Sequence, residues 1–396
     1  MLYDPRFKLE LRGEVLKRDA LPTLLPAWED LCRRSIEDNV YYSPRYARAL
    51  LESVERDKNI GFAVVWKEKS LVAMLPFTRI KLRIPLLQPA GHAWRSKYTY
   101  SCMPLLDRLT KAEATAVLLE VLAGVSDGEW IIPTLNVKGD TCKSLIAALE
   151  QRGSRWTFLG QFQRATLAAG STFDEHMMHH VSSKRRRDLV RNRRRLEEMG
   201  KVEHESYYGG EGLDRAVSAF LAIEAKGWKG MHGTALACDE KTRKFAINAF
   251  TGDEHDSICR ADVLKLEGVP IAVSITTLAG GTGFTVKCCY DEAYRRFSAG
   301  LLLETEVIRS FLEQKWASRL DAATNGTHII DSLWPGRIEV ADLIFSLSPR
   351  YSELRLCAFR MAEQTKRSIS AATKRWFIRL RQCGLVPGLH TSVSAK

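Results

Sequence analysis

Residues 283–308 read GFTVKCCYDEAYRRFSAGLLLETEVI, and the junction inside this stretch decides how the chain is organised. An apolar, aromatic strand signal fills its first eight positions, and an apolar helix signal fills its last eight. Between them stand Arg295, Arg296, Ser298, Ala299 and Gly300, where a strand stops and a helix begins. The first turn of a helix exposes unpaired backbone N–H groups at the positive end of its dipole. Small residues there let an anion approach the backbone, and arginine just ahead adds charge and a bidentate donor. That is the recipe for a pyrophosphate site. A plainer reading fits the same residues: Ser298 as a helix N-cap followed by an ordinary helix, with two solvated arginines.

Working outward, three strand signals run in succession: SICRADVLKLE (257–267), VPIAVSITTLA (269–279) and TGFTVKCCYD (282–291). Glu267-Gly268 and Gly280-Gly281 separate them as tight turns. The long helix is followed by a strand at RLDAA (319–323), a loop around Trp334-Pro335-Gly336 and a strand at EVADLIFSL (339–347). Upstream, the pattern predicts a helix closed by Gly200, a strand over 201–207, and helices over 212–227 and about 240–250. The first 160 residues show a similar order. Helical spacing covers 21–36 and 43–56, a hairpin fills 60–80, and helix, strand, helix and strand follow to about 161. The expected fold class is α/β (α+β), with two domains of mixed sheet flanked by helices. The expected boundaries are 1–163, 164–348 and a basic helical tail over 349–396, with 351–382 as its amphipathic helix and 384–396 as a loose end.

Bulk composition narrows the partners. The chain of 396 residues carries a formal charge of +12, concentrated in two places. KRRRDLVRNRRR (184–195) has eight basic residues and one acidic, and residues 350–396 have ten basic and two acidic. Phosphates and acidic lipids are the natural counterparts of such devices. The nine cysteines show no C-x-x-C spacing, and no apolar run is long enough to span a membrane. Together with a charged N-terminus, these features read as a reduced, cytoplasmic protein. His176, His179 and His180 have helical spacing but no evident carboxylate or cysteine partner, so no metal is expected.

In this order of elements, Arg-x-x-Ser-x-Gly ahead of a long helix resembles the acyl-coenzyme A site of the GNAT acyltransferases. Their pattern is Gln/Arg-x-x-Gly-x-Gly/Ala; Arg295 and Gly300 match it, and Ser298 stands where the middle glycine would be. A narrower similarity rests on five segments: YYSPRYARAL (41–50), SKRRRDLVRNRRRLEEMG (183–200), FLAIEAKGWKGMHGTAL (220–236), YDEAYRRFSAGLLL (290–303) and LWPGR (333–337). Over about residues 20–347 they resemble the CelD/BcsL-type GNAT proteins, distant relatives of the FemABX peptidyltransferases. The resemblance implies tandem GNAT-like domains, the first degenerate and the second holding the acyl donor. YTYSCMPLLDRLTKAEATAVLL (98–119) agrees, because it has no glycine at its helix start.

Acyl transfer from a thioester needs a nucleophile, support for a tetrahedral oxyanion and a proton for the leaving thiolate. Tyr290 and Tyr294 flank the loop as proton donors, or else pack at a sheet edge with a wet hydroxyl. Glu224 and Asp291 are the candidate bases, Glu224 having the alternative of a solvated helix position. Lys287, at strand spacing between Thr285 and Cys289, is expected on their face, either solvated or in the cleft as a charge stabiliser. The glycine-rich loop EAKGWKGMHGTAL places Trp228, Lys229 and Thr234 beside the site by resemblance, as a flexible acceptor-side flap, or else is a surface loop anchored by a buried Trp228.

On a helix, Val181, Leu189, Leu196 and Met199 form a narrow stripe that Arg185 and Asn192 interrupt. Arginines cover most of the rest. Three readings stay open for the run: a solvated face, a collar for coenzyme A or an anionic glycan, and a surface for tRNA. The expected activity is acyl-coenzyme A-dependent N- or O-acylation of a polysaccharide, amino-sugar or other envelope-related acceptor by direct attack. The alternatives are an aminoacyl-tRNA-dependent peptidyltransferase and a non-catalytic scaffold in polysaccharide synthesis. The C-terminal segment also allows peripheral association with an anionic membrane.

Overall fold

The computed structural model describes residues 11–80, 90–126, 128–326, 328–348 and 352–382. The chain runs β1 (Leu11–Leu16), α1 (Leu21–Arg34), α2 (Pro44–Leu51), β2 (Gly61–Lys67), β3 (Ser70–Ile80), β4 (Ala90–Ala93), β5 (Leu105–Leu106) and α3 (Lys111–Val125). Then come β6 (Glu129–Asn136), α4 (Asp140–Gln151), β7 (Trp156–Ala168), α5 (Phe173–His180), α6 (Ser183–Glu197), β8 (Val202–Tyr207) and α7 (Gly210–Lys226). It continues through α8 (Trp228–Met231), α9 (Glu240–Phe250), β9 (Cys259–Leu266), β10 (Val269–Ala279), β11 (Thr282–Tyr290) and α10 (Ala299–Gln314). The last elements are β12 (Arg319–Asp321), β13 (Gly336–Ser346) and α11 (Ser352–Gln382). The histidine-rich α5 was not foreseen, although Thr172 and Glu175 form a capping box at its start, a signal written in the sequence as T-x-x-E. No helix among the described residues is long and apolar enough to cross a membrane.

Two compact units divide the chain. The first takes residues 1–44, 57–162 and 338–367, and the second takes 45–56, 163–337 and 368–396. This differs from contiguous halves cut at residue 163. Residues 45–56 count with the second unit because Arg45 donates to the Thr251 carbonyl and Tyr46 packs edge-on against Phe245, centroids 5.4 Å apart. Residues 338–346 count with the first because β13 pairs antiparallel with β6, Ile344 opposite Ile131.

The strand order of the first unit is β1-β2-β3-β4-β6-β13, and that of the second is β8-β9-β10-β11-β12-β7. Each has four antiparallel strands, one parallel step and an antiparallel closing strand. The parallel steps are β4 to β6, with Gly91 opposite Trp130, and β11 to β12, with Gly283 opposite Leu320. Each closing strand comes from outside its own half of the sequence. β13 follows the second unit along the chain, and β7 precedes it.

In the second unit α10 buries Leu302, Leu303, Val307, Ile308, Phe311 and Leu312 against Leu264, Ile271 and Leu320. Each such side chain contributes roughly 1.5–3 kcal/mol by leaving water. In the first unit the corresponding helix, α3, is entered differently. The Oδ1 atom of Asp107 accepts hydrogen bonds from the amides of Leu109 (2.8 Å) and Thr110 (3.2 Å), and its other oxygen is paired with Arg34.

Candidate active site

Ser298 is the pivot of the second unit. Its backbone lies in the left-handed region, φ 56° and ψ 44°, which glycine adopts freely and other residues pay for in strain. It stands at the N-cap position of α10, yet its side chain caps nothing. Asn192 of α6 donates instead to the Ser298 hydroxyl at 3.3 Å. Serine therefore follows the path a glycine would take, held by a side chain from another helix. Ala299 and Gly300, the first two helical residues, have no preceding turn to receive their amides. A Cβ on Gly300 would lie 3.2 Å from the Tyr290 ring.

Arg185, Asp188, Leu189, Arg191, Asn192 and Arg195 of α6, with Arg296, Ser298 and Leu301, line a cleft of about 240 Å³ at this turn. Asp188 is the one acid in the lining, and Arg191 pairs with it at 2.9 Å. Phe297, buried, sits under two guanidinium groups, Arg296 at 4.7 Å and Arg195 at 5.9 Å from its ring centre. Of the expected stripe, Leu189 and Leu196 are buried on α6, whereas Val181 is buried in the extended link after α5 and Met199 lies beyond α6 and is exposed. The two residues that interrupt the stripe, Arg185 and Asn192, are both among those that line the cleft. Other arginines of the run have structural work. Arg186 donates to the carbonyls of Met177 and Met178, and Arg193 joins Glu197, Glu306 and the Val202 carbonyl. Arg295, by contrast, is exposed outside the cleft lining.

Strand β11 carries a bulge. Thr285 pairs with Thr276 and Lys287 pairs with Ile275, so Val286 has no opposite residue. Facing residues share a side of the sheet, and Ile275 and Thr276 point opposite ways. Thr285 therefore shares its side with Cys288 and Tyr290, and Lys287 shares the other with Cys289. The expectation that Lys287 and Thr285 lie together fails at this bulge. Among the described residues, the pairing of β11 with β12 covers Thr282–Phe284 and stops before Thr285.

The side bearing Thr285, Cys288 and Tyr290 lies beneath α10, and its floor is polar. Ser274 stands between Cys288 and Asp262 across the strands, and Thr276 between Thr285 and Arg260. Arg260 binds Asp262 through two nitrogens (2.7 and 2.8 Å) and Ser310 of α10 at 2.6 Å. Burial alone would raise the Asp262 pKa, but hydrogen bonds from His204 and Arg260 outweigh it and hold the carboxyl below its ordinary value. The hydroxyls of Ser274, Thr276 and Thr285 are buried without a protein partner. Glu304 projects from α10 into this region and accepts a hydrogen bond from the Trp334 indole at 2.9 Å. Desolvation, opposed by that bond and reinforced by Asp262, pushes the Glu304 carboxyl up to about 8. Cys288, on the same side of β11, is solvent-exposed.

The remaining expected residues separate by role. Tyr290 packs beside Gly300, and burial, with Glu292 next, raises its phenol pKa, so it is protonated at neutral pH. Tyr294 is half-buried against the core, and Asp291 caps the turn before Ser298 by accepting from the Ala293 amide at 2.9 Å. Glu224 is not a solvated helix position. It is buried, with Lys229 at 2.7 Å on one oxygen and the Leu236 amide at 2.8 Å on the other. Thr234 donates through its amide to the Lys229 carbonyl at 2.8 Å. The expected flexible flap is thus a short helix and turn pinned by Glu224, with Trp228 left 42% exposed. Of the three histidines, His176 is buried and bonded to the Leu333 carbonyl.

Residues 183–327 match the family model of the acetyltransferase (GNAT) domain. The matched stretch lies within the second unit, and the first unit repeats that unit's strand order. FemX aligns with 81% of this chain and 95% of its own at 11% identity, TM-score 0.54. A conserved protein of unknown function from Bacteroides thetaiotaomicron covers 85% of this chain and 100% of its own at 12% identity, TM-score 0.52. The C-terminal domain of a protein assigned as a lysylphosphatidylglycerol synthetase from Agrobacterium fabrum covers 86% and 96% at 11% identity, TM-score 0.51. At such identities the likeness is one of fold. No curated protein sequence matches the chain.

Proposed function

We propose that the chain transfers an acyl group from acyl-coenzyme A to an amine or hydroxyl of a glycan or amino-sugar acceptor, by direct attack on the thioester. The observation that carries this reading is the arginine-lined cleft at the start of α10. Arg185, Arg195 and Arg296, with the amides of Ala299 and Gly300, suit the diphosphate of the donor. The stretch of β11 past its pairing with β12 suits the amides of its pantetheine arm. A new bond forms between the acceptor atom and the carbonyl carbon, and the C–S bond breaks. The acceptor's proton passes to the ionised fraction of Glu304, which is the minor form at neutrality and grows as pH rises toward about 8. Tyr290 supplies the proton to the thiolate, and exchange with solvent restores both groups. Trp228, with Lys229 and Thr234 behind it, offers an exposed ring on which a sugar can stack.

The test is a thermal-shift and calorimetry panel of acetyl- and longer acyl-coenzyme A against the wild type and Gly300→Glu, with uncharged tRNA alongside. The expected result is donor binding that Gly300→Glu abolishes. Binding unchanged in that variant removes the site. Salt-sensitive tRNA binding without donor binding, lost when Arg185, Arg186 and Arg187 become Ser, transfers the assignment to a peptidyltransferase. Failure of both donors at millimolar concentration leaves a scaffold.

A further inference from the structure

Helix α11 has two unlike sides. On one, Leu356 and Phe359 are buried with Ile131 and Ile344 of the first unit. On the other, Leu354, Met361, Ile369 and Trp376 are exposed at 73%, 61%, 61% and 61%. Successive steps of seven, eight and seven residues keep these four on one face of the helix. Cys357, Ala358 and Ala372, also exposed, fill the seam between them. From Leu354 to Trp376 the seam extends about 33 Å at the rise of an α-helix.

Charge decides what fits it. Residues 350–396 contain ten basic residues and two acidic ones in the sequence. A second copy laid along the seam would bring two such segments together, and like charges oppose that. A neutral apolar partner would leave the charge unanswered. An anionic bilayer answers both features: aliphatic side chains enter the acyl boundary, tryptophan sits at the headgroups, and basic residues meet lipid phosphates. We infer that α11 is an interfacial helix that docks the chain on an anionic lipid surface through the Leu354–Met361–Ile369–Trp376 seam. This does not depend on the acyltransfer reading, because it concerns a different element and a different ligand.

The experiment is co-sedimentation of the full chain with phosphatidylcholine vesicles, with and without about a quarter phosphatidylglycerol, at low and high salt. The comparison variant is Met361→Glu/Ile369→Glu/Trp376→Glu, whose three sites are exposed, with circular dichroism and melting to verify an unchanged fold. Wild type should pellet with the anionic vesicles, weaken with salt, and lose about tenfold or more of its partition in the variant. Three outcomes overturn the inference: no enrichment on anionic vesicles, equal binding to phosphatidylcholine alone, or undiminished binding by the variant. A wild-type dimer that the variant converts to monomer assigns the seam to a second copy and overturns it as well.

Discussion

Ser298 illustrates what one residue can hold in place. Its left-handed backbone stores about 1–2 kcal/mol of strain, which the Asn192 contact and the packed helix behind it sustain. Ser298→Gly should leave the melting temperature within a few degrees of wild type and preserve donor affinity. Ser298→Val, β-branched at positive φ, should lower both. Glu304 makes a second claim at this scale. Its folded pKa of about 8 lies above the ordinary 4.5, so the native state holds a proton that the unfolded state releases. Stability therefore falls as pH rises from about 4.5 to about 8, by up to a few kcal/mol. Melting of Glu304→Gln across that window should show the slope reduced, and acyl transfer lost if Glu304 accepts the acceptor's proton. The junction at Ser298 was legible, because a strand signal, small residues and a helix signal adjoin there. Glu304 was passed over as one more helix acid. Its signal was its place in the row Gly300, Glu304, Ile308, Phe311, where a charge shares an apolar stripe.

At the scale of elements, α6 and β11 differ in how plainly the sequence describes them. The breaks in the α6 stripe were visible, and both, Arg185 and Asn192, are among the side chains that line the cleft. Arg185→Glu with Arg195→Glu should weaken acetyl-coenzyme A binding and flatten its salt dependence, as isothermal titration at two ionic strengths would reveal. The β11 bulge was not visible, since strict alternation places Thr285 and Lys287 together and one unpaired Val286 undoes it. The turn after α7 carries a further expectation. Glu224→Gln removes a buried charge that anchors Lys229 and keeps at most part of the bond to the Leu236 amide. It should cost roughly 1–3 kcal/mol and speed proteolytic cleavage within residues 228–234.

For the molecule as a whole, the doubled order of strands and helices could be read from the sequence, because each half repeats the same succession of periodicities. The exchange of β7 and β13 could not, since a strand's sequence does not name its partner. The buried Arg260–Asp262 pair belongs to this scale because it ties β9 to α10. The depressed Asp262 pKa contributes stability above the unfolded value of about 3.8, and that stability is lost as pH falls from there through the lower folded value. Asp262→Ala strands a buried guanidinium, for which about 3–5 kcal/mol is typical, and its melt should drop accordingly at neutral pH. The Asp107 carboxylate at the entrance to α3 has a numerical consequence. It gives the entrance of α3 a resident counter-ion, so under the proposed function the start of α10, not that of α3, takes the donor's diphosphate, and a calorimetric titration with donor should reach its endpoint at one equivalent per chain.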